Sequence, residues 1–270
     1  SVGINGDARA ASAALIERLT GRSLACMANS TERQAKIAAE KGAWEQELSA
    51  WTHERDPYSL EVAKGSKLMH PRQMLRELEK AMPKHAMVST DIGNICSISN
   101  SYLRFDEPRS MFAAMSFGNC GYAFPVACGA KIAAPDRPMI AYVGDGAWGI
   151  SLNELLTCAR EKIGVTVVVF NNGQWGAEKK NHVDFYSQRF QAVDLVSPSW
   201  AGVAKAFGCE GVTVDQLSDV GPALQASVQA QSEGKTTILE MMVTRELGDP
   251  FRRDALSKPV RYLEKYRAYT

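Results

Sequence analysis

The stretches PMIAYVGDG (138–146) and VTVVVFNNG (165–173) decide the fold. Each is a run of strand length, apolar in the first and β-branched in the second, that ends in polar residues and a glycine. A strand with one wet face alternates apolar and polar side chains. These two do not alternate, so both faces of their sheet must be covered, which is the condition of a parallel sheet. The segment between them, SLNELLTCAREKI (151–163), reads as a helix. Strand, helix, strand is the crossover unit of parallel pairing, and its hand is almost invariably right.

The same alternation extends outward. AMVSTD (86–91) and SMFAAM (110–115) read as strands, and GYAFPVACGAKIAA (121–134) as a helix of small residues. HPRQMLRELEKAM (70–82) is a helix with Pro71 in its first turn, where the missing N–H costs nothing. Downstream come a helix at SWAGVAKAFG (199–208), a strand at GVTV (211–214), a helix at VGPALQASVQAQSEG (220–234) and a strand at TTILEMMVT (236–244). The expectation is a doubly wound α/β domain on a parallel sheet over residues 70–245.

The flanks read differently. Residues 2–4 (VGI) suggest a short strand, followed by a helix with Asp7 as N-cap and an apolar stripe of Ala11, Ala14, Leu15 and Leu19. Residues 30–55 are charged and helix-prone, with Trp44, Leu48 and Trp51 at helical spacing, expected to pack against a neighbour. Pro57 and Gly65 mark a linker, so that 23–69 forms a helical connection, and 246–270 is a polar, arginine-bearing tail. The opening residues read as the middle of a strand, and the expectation is a piece of a longer protein.

Bulk properties exclude several classes. The chain has 270 residues, 45% of them apolar and 23% charged, enough for a sizeable core. A net charge of +1 leaves no electrostatic footprint for nucleic acid or an anionic membrane. No apolar run approaches the ~20 residues of a membrane span, and the first residues lack a signal-peptide pattern. The six cysteines contain no C-x-x-C pair and the four histidines are scattered. That argues against a zinc site or a disulfide framework, and for buried free thiols in a reducing cytoplasm.

Ligands of open parallel sheets bind beyond the carboxyl ends of the strands. Three such ends are unusual: DIGN (91–94), GDGAW (144–148) and NNGQWG (171–176). Glycines let a backbone approach a ligand, and a helix N-terminus offers free N–H groups to phosphate. Asp145 would repel that phosphate unless a cation bound both. Taken alone, GDG is equally well a turn capped by an aspartate. Asn172, however, stands 27 positions later at the end of the next apolar strand. Two adjacent strands then present an Asp and an Asn at one sheet edge. Hard oxygen donors of this kind suit Mg²⁺ or Ca²⁺ and not zinc.

GDG followed some 26 residues later by NN resembles the signature of the thiamine diphosphate (ThDP) enzymes, the family of acetolactate synthases and pyruvate decarboxylases. The resemblance spans about residues 70–245 and implies a ThDP-binding fold. It implies Mg²⁺ held by Asp145, the Asn172 side chain and the Gln174 carbonyl, with the amides of Gly146, Ala147, Gly176 and Ala177 facing the diphosphate. SFGNCGYAFPVACGAK (116–131) is similar to the segment under the aminopyrimidine ring. There Gly118 would accept from the 4′-amino group, with Asn119 and Cys120 beside it. Cys120 replaces a residue that is often bulky and apolar in the family. DIGN aligns with a diphosphate-contacting turn and adds Gly93, Asn94 and Ile95, an Asn-Ile where the family usually has a polar pair.

TDIGNICSISNSYLRF, NNGQWGAEKKNHVDFY and LGDPFRRDAL further resemble an acyl-transferring branch of this family. That branch turns a two-carbon sulfonated aldehyde and phosphate into acetyl phosphate and sulfite. Its substrates are anions, so Arg252 and Arg253 are candidate ligands, with Lys179, Lys180 and His182 next. The resemblance makes residues 1–22 the end of a middle domain. It implies a homodimer or homotetramer, with the activating glutamate on an N-terminal domain of a neighbouring subunit, so no glutamate of this chain is assigned that role. A carboligase or a 2-oxoacid decarboxylase would share the three motifs. A non-catalytic binding or assembly module would have no need for the Asp145/Asn172 pair, and a dinucleotide-binding domain would need a G-x-G-x-x-G that is absent.

Overall fold

The structure is a computed structural model describing residues 3–22, 30–50, 61 and 64–248. The chain divides into two compact units, residues 1–50 and 51–270. The first contains helices α1 (Ala8–Leu19) and α2 (Ser30–Ala50). Asp7 caps α1 as expected, its Oδ1 accepting from the Ala10 N–H at 2.9 Å. The expected strand at 2–4 does not form over its described residues: Gly3 and Ile4 are exposed and non-regular. A strand needs a neighbour for its N–H and C=O groups, and no strand pairs with this one among the described residues. The stripe on α1 is not a buried one, with Leu15 and Leu19 both about half exposed. In α2 Leu48 is buried while Trp44 stays exposed, and Trp51 lies outside the described residues.

The second unit is the expected doubly wound domain. Its elements are α3 (Pro71–Ala81), β1 (Met87–Thr90), α4 (Asn94–Ser99), β2 (Met111–Ala113), α5 (Ala123–Ala133), β3 (Met139–Gly144) and α6 (Asp145–Ser151). There follow α7 (Leu155–Glu161), β4 (Thr166–Asn171), α8 (Gly176–Phe185), α9 (Trp200–Ala206), β5 (Glu210–Val214), α10 (Leu217–Ala230) and β6 (Thr237–Met242). The six strands are all parallel, in the order β2-β1-β3-β4-β6-β5. The chain leaves β1 for one edge and returns on the other side at β3. Such a reversal opens a crevice at the carboxyl ends of the two strands.

Full burial of β3 and β4 follows from helices on both faces. Val165, Val167 and Val169 point to one side, into a cluster with Phe124, Ala127, Trp148 and Leu155. There the Phe124 and Trp148 rings meet at 5.1 Å between centroids. Val168 and Phe170 point to the other side and are equally buried. The amphipathic helix α3 buries Met74, Leu75 and Leu78 completely, each worth about 1.5–3 kcal/mol of apolar transfer.

Three local expectations are corrected. The helix expected over 151–163 is two helices, α6 and α7, joined by a 3₁₀ turn at Leu152–Glu154. GDG is not a glycine turn: Gly144 is extended (φ −75°) and Asp145 already opens α6. Helices α4 and α8 were not anticipated. The first is only 6 residues long and the second is polar on nearly every side, so neither carries a clear apolar stripe.

Candidate functional site

The crevice at the β1/β3 reversal is a cavity of about 120 Å³. Four segments build it. The end of β1 supplies Asp91, Gly93, Asn94 and Ile95; the approach to α5 supplies Gly118 and Cys120; the β3–α6 junction supplies Asp145, Gly146 and Ala147; and the β4–α8 connection supplies Asn172, Gln174, Trp175, Gly176, Ala177 and Glu178. Twelve of the residues singled out in the sequence thus line one cavity. Asn119 does not: its Nδ2 turns back to the Cys120 carbonyl at 3.4 Å.

Parallel pairing of β3 with β4 sets Gly144 opposite Phe170, and so brings the two polar strand ends together. Asp145 is 1% exposed. Its carboxylate accepts from the Gly146 N–H at 3.0 Å, the Gly173 N–H at 2.7 Å and the Ser197 hydroxyl at 3.3 Å. All three donors are neutral, and no lysine or arginine among the described residues forms an ion pair with it. Burial pushes the Asp145 carboxyl above its ordinary range, against those hydrogen bonds. Asn172 is nearly as buried, and its Oδ1 accepts from the Gln174 N–H at 3.2 Å. The Gln174 Oε1 is buried without a hydrogen-bond partner. A buried carboxylate with only neutral donors beside further oxygen donors fits a hard divalent cation, which would supply the missing positive charge.

Close approach of backbone explains two of the glycines. A Cβ on Gly146 would lie 2.9 Å from the Trp175 ring, and one on Gly176 would lie 2.9 Å from Asn94 Cβ. The turns that follow β1, β3 and β4 are therefore packed against one another with no room for side chains.

Several contributors escaped sequence reading. Asp91 Oδ1 accepts from the N–H groups of Tyr122 (2.7 Å) and Ala123 (2.9 Å), fixing the start of α5 against the end of β1. Its Oδ2 is buried without a partner, and burial raises its pKa. Asn94 is not free to aim its side chain at a ligand. Its Oδ1 accepts from Gly248 N–H at 2.7 Å and its Nδ2 donates to Glu246 C=O at 3.3 Å. Glu246 in turn pairs with Arg72 and His70, each at 3.3 Å. Arg245 donates to the Gly173 carbonyl at 3.2 Å and to Asp194 at 3.1 Å, bracing the β4 turn from outside. No spacing rule connects these residues, because their partners lie scores of positions away.

The lysines of α8 are not solvated surface charges. Lys179 and Lys180 are 3% and 1% exposed and are paired with Asp194 (2.7 Å) and Asp184 (2.8 Å). Ion pairing is what makes burial of an ammonium tolerable. His182 sits beside the Tyr186 and Phe190 rings. Arg252 and Arg253 lie outside the described residues. Of the six cysteines, Cys96, Cys128 and Cys158 are buried free thiols and Cys120 and Cys209 half-buried ones; Cys26 is outside the described residues.

The chain is 63% identical to the sulfoacetaldehyde acetyltransferase of Castellaniella defragrans, over its whole length and 46% of the relative's. It is 44% identical to that of Roseovarius nubinhibens over 96% of the chain and 44% of the relative. The large subunit of acetolactate synthase from Parasynechococcus marenigrum matches at 29% over 75% of the chain. The chain thus spans about half the length of the acetyltransferases it matches. Among solved structures, a thiamine diphosphate-dependent 4-hydroxybenzoylformate decarboxylase of Rhodococcus jostii superposes with a TM-score of 0.62 over 66% of this chain and 33% of the other, at 23% identity, a likeness of fold. Residues 91–241 match the family described as thiamine pyrophosphate enzyme, C-terminal TPP binding domain, and the chain belongs to that family.

Proposed function

We propose that this chain carries the magnesium and diphosphate site of a sulfoacetaldehyde acetyltransferase, which converts sulfoacetaldehyde and phosphate into acetyl phosphate and sulfite. The observation that carries the reading is the convergence of four strand-end turns on one cavity, in a chain 63% identical from end to end to such an enzyme. Asp145, the Asn172 side chain and the Gln174 carbonyl would hold Mg²⁺. The N–H groups of Gly146 and Ala147 at the start of α6, and of Gly176 and Ala177 at the start of α8, would donate to the diphosphate. Gly93, Asn94 and Ile95 would close a further wall, and Gly118 would accept from the pyrimidine amine, with Cys120 beneath the ring and Asn119 serving only to brace the Cys120 carbonyl. When bound, ThDP supplies the nucleophilic carbon that adds to the aldehyde. Arg252 and Arg253 would receive the sulfonate or phosphate, since a guanidinium forks onto such oxygens.

A cavity of about 120 Å³ is smaller than the roughly 300–1,000 Å³ of a pocket that encloses a whole organic ligand. It suits a diphosphate with its metal. We take the remaining wall, and the carboxyl that activates the cofactor, to come from an N-terminal domain of the same or a neighbouring subunit in a cytoplasmic homodimer or homotetramer. No described helix is long and apolar enough to cross a membrane.

The test is release of acetyl phosphate and sulfite from sulfoacetaldehyde by the complete enzyme, with inorganic phosphate varied. Turnover strictly dependent on phosphate supports the reading. Carboligation of pyruvate without phosphate dependence would move the protein to the acetolactate synthases, which it matches at only about 30% identity.

A further inference from the structure

We propose that Cys128 and Cys158 form an oxidisable dithiol, which a hydroperoxide converts reversibly into an intramolecular disulfide tying α5 to α7. The two sulfurs are 3.4 Å apart and share a hydrogen bond. Both belong to the apolar cluster on one face of the sheet, with Cys128 8% and Cys158 1% exposed. A disulfide needs a sulfur separation of about 2.05 Å, so closure requires the pair to approach by roughly 1.4 Å, within reach of side-chain rotation and a small helix shift. Cys209 is the nearest rival, but its thiol is turned to the Leu155 carbonyl at 3.6 Å.

Access and reactivity point the same way. Cys158 lines a second cavity, of about 300 Å³, together with Lys162, Gly208, Cys209 and Thr236. That cavity lies at the amino ends of β5 and β6, across the sheet from the cofactor crevice, and is ample for a small peroxide. The hydrogen bond shared with Cys128 favours the thiolate on Cys158, against burial, while the same bond and burial keep the proton on Cys128. Burial holds Cys96, Cys120 and Cys209 up at about 11. Since the thiolate is the nucleophile, Cys158 is the sulfur set to react first.

The Cys158 thiolate attacks one peroxide oxygen. The O–O bond breaks, and the departing hydroxide takes up a proton as water, leaving a sulfenic acid. Cys128 then loses its proton and attacks that sulfur. The S–O bond breaks, and the second oxygen also leaves as water. Two thiols and one hydrogen peroxide become one disulfide and two waters. The product would join the helix that follows Gly118–Cys120 to the helical segment that opens at Asp145, fixing the spacing of two walls of the cofactor crevice.

The experiment treats the 270-residue chain with a small excess of hydrogen peroxide, denatures it in N-ethylmaleimide and maps it without reduction. Expected is the loss of two of the six labelled thiols, with a cross-link between tryptic peptides 110–131 and 132–160, reversed by dithiothreitol. Fragment ions must place the bond at Cys128, because Cys120 shares its peptide. In Cys128→Ser, dimedone should trap a sulfenic acid at Cys158. A cross-link through Cys120 or Cys209 would overturn the proposal. So would wild-type chain that reaches sulfinic acid, or stays fully alkylatable, with no Cys128–Cys158 bond.

Discussion

Asn171 Nδ2 donates to the Glu240 carboxylate at 2.9 Å, across 69 positions of sequence. Glu240 is 2% exposed, in the middle of the buried strand β6. It also accepts from the N–H groups of Trp200 (3.0 Å) and Ala201 (3.2 Å) and from the hydroxyls of Ser199 (3.1 Å) and Thr213 (3.1 Å). One carboxylate thus anchors the first turn of α9 and the residue directly before the proposed metal ligand Asn172.

Glu240→Gln puts an amide where five donors expect oxygens, and leaving buried donors unpaired costs about 1–3 kcal/mol. Burial raises the Glu240 pKa, but hydrogen bonds from Trp200, Ala201, Asn171 and Ser199 prevail and hold it below the ordinary glutamate value. A lowered folded-state pKa gives stability that is present above the unfolded value of about 4.5 and is lost as pH falls through the folded one. Urea melts from pH 7 down to pH 3 should show the wild type losing its advantage over Glu240→Gln below about pH 4.5. A pH-independent difference would remove the charge from the account.

Asp145→Ala is expected to leave the fold intact and to abolish magnesium-dependent ThDP binding. Because burial raises the pKa of this carboxyl, its charge at neutral pH opposes folding of the metal-free chain, and that cost shrinks as pH falls below the folded pKa and is gone below the unfolded value of about 3.8. Removing the carboxyl also leaves the Gly146 and Gly173 N–H groups and the Ser197 hydroxyl without their acceptor, which offsets that gain, so the metal-free chain should still unfold cooperatively at pH 7. The wild type should gain about 2.7 kcal/mol when cofactor and Mg²⁺ are present at 100 times their dissociation constant, and the variant nothing. Equal cofactor affinity by calorimetry in both proteins would take the metal away from Asp145.

Gly146→Ala places a methyl 2.9 Å from three carbons of the Trp175 ring. Overpacking of this kind costs about 1–3 kcal/mol. The ring should shift, with a changed near-ultraviolet circular dichroism band and weaker ThDP binding. An unchanged band with wild-type affinity would show that the turn accommodates the methyl by other means.

The double variant Arg252→Gln/Arg253→Gln should raise the KM for phosphate or sulfoacetaldehyde in the complete enzyme, by about 10- to 150-fold if one charge-assisted contact of about 1.5–3 kcal/mol is lost. Gly248 is pinned to Asn94 at the cavity wall, and Arg252 follows four residues later, within roughly 14 Å of extended chain. Wild-type kinetics would return both arginines to ordinary surface charge.

The 270-residue chain by itself should release no acetyl phosphate. It spans 46% of the length of the acetyltransferase it matches at 63%, and lost general acid–base help costs about 10²–10⁴ in rate. Turnover at the rate of a complete enzyme would place the activating carboxyl among these residues, Glu178 at the cavity rim being the first to substitute.

The sequence by itself determined the parallel sheet, because strands buried on both faces leave a continuous apolar run such as Val167–Phe170 that no half-exposed strand tolerates. It also placed Asp145 and Asn172 just beyond the ends of two neighbouring strands, since adjacent strands joined by one crossover end at the same edge. Only the tertiary structure decided the strand order, in which β6 inserts between β4 and β5 and carries Glu240 to Asn171. Only it decided that Asn94 is spent on Glu246 and Gly248, that Lys179 and Lys180 are buried, and that Cys128 meets Cys158. The reason is one of range. Periodicity and strand ends are fixed by neighbours within a few residues, whereas a buried polar group finds its partners wherever packing leaves an unpaired donor or charge, and no local pattern records that distance.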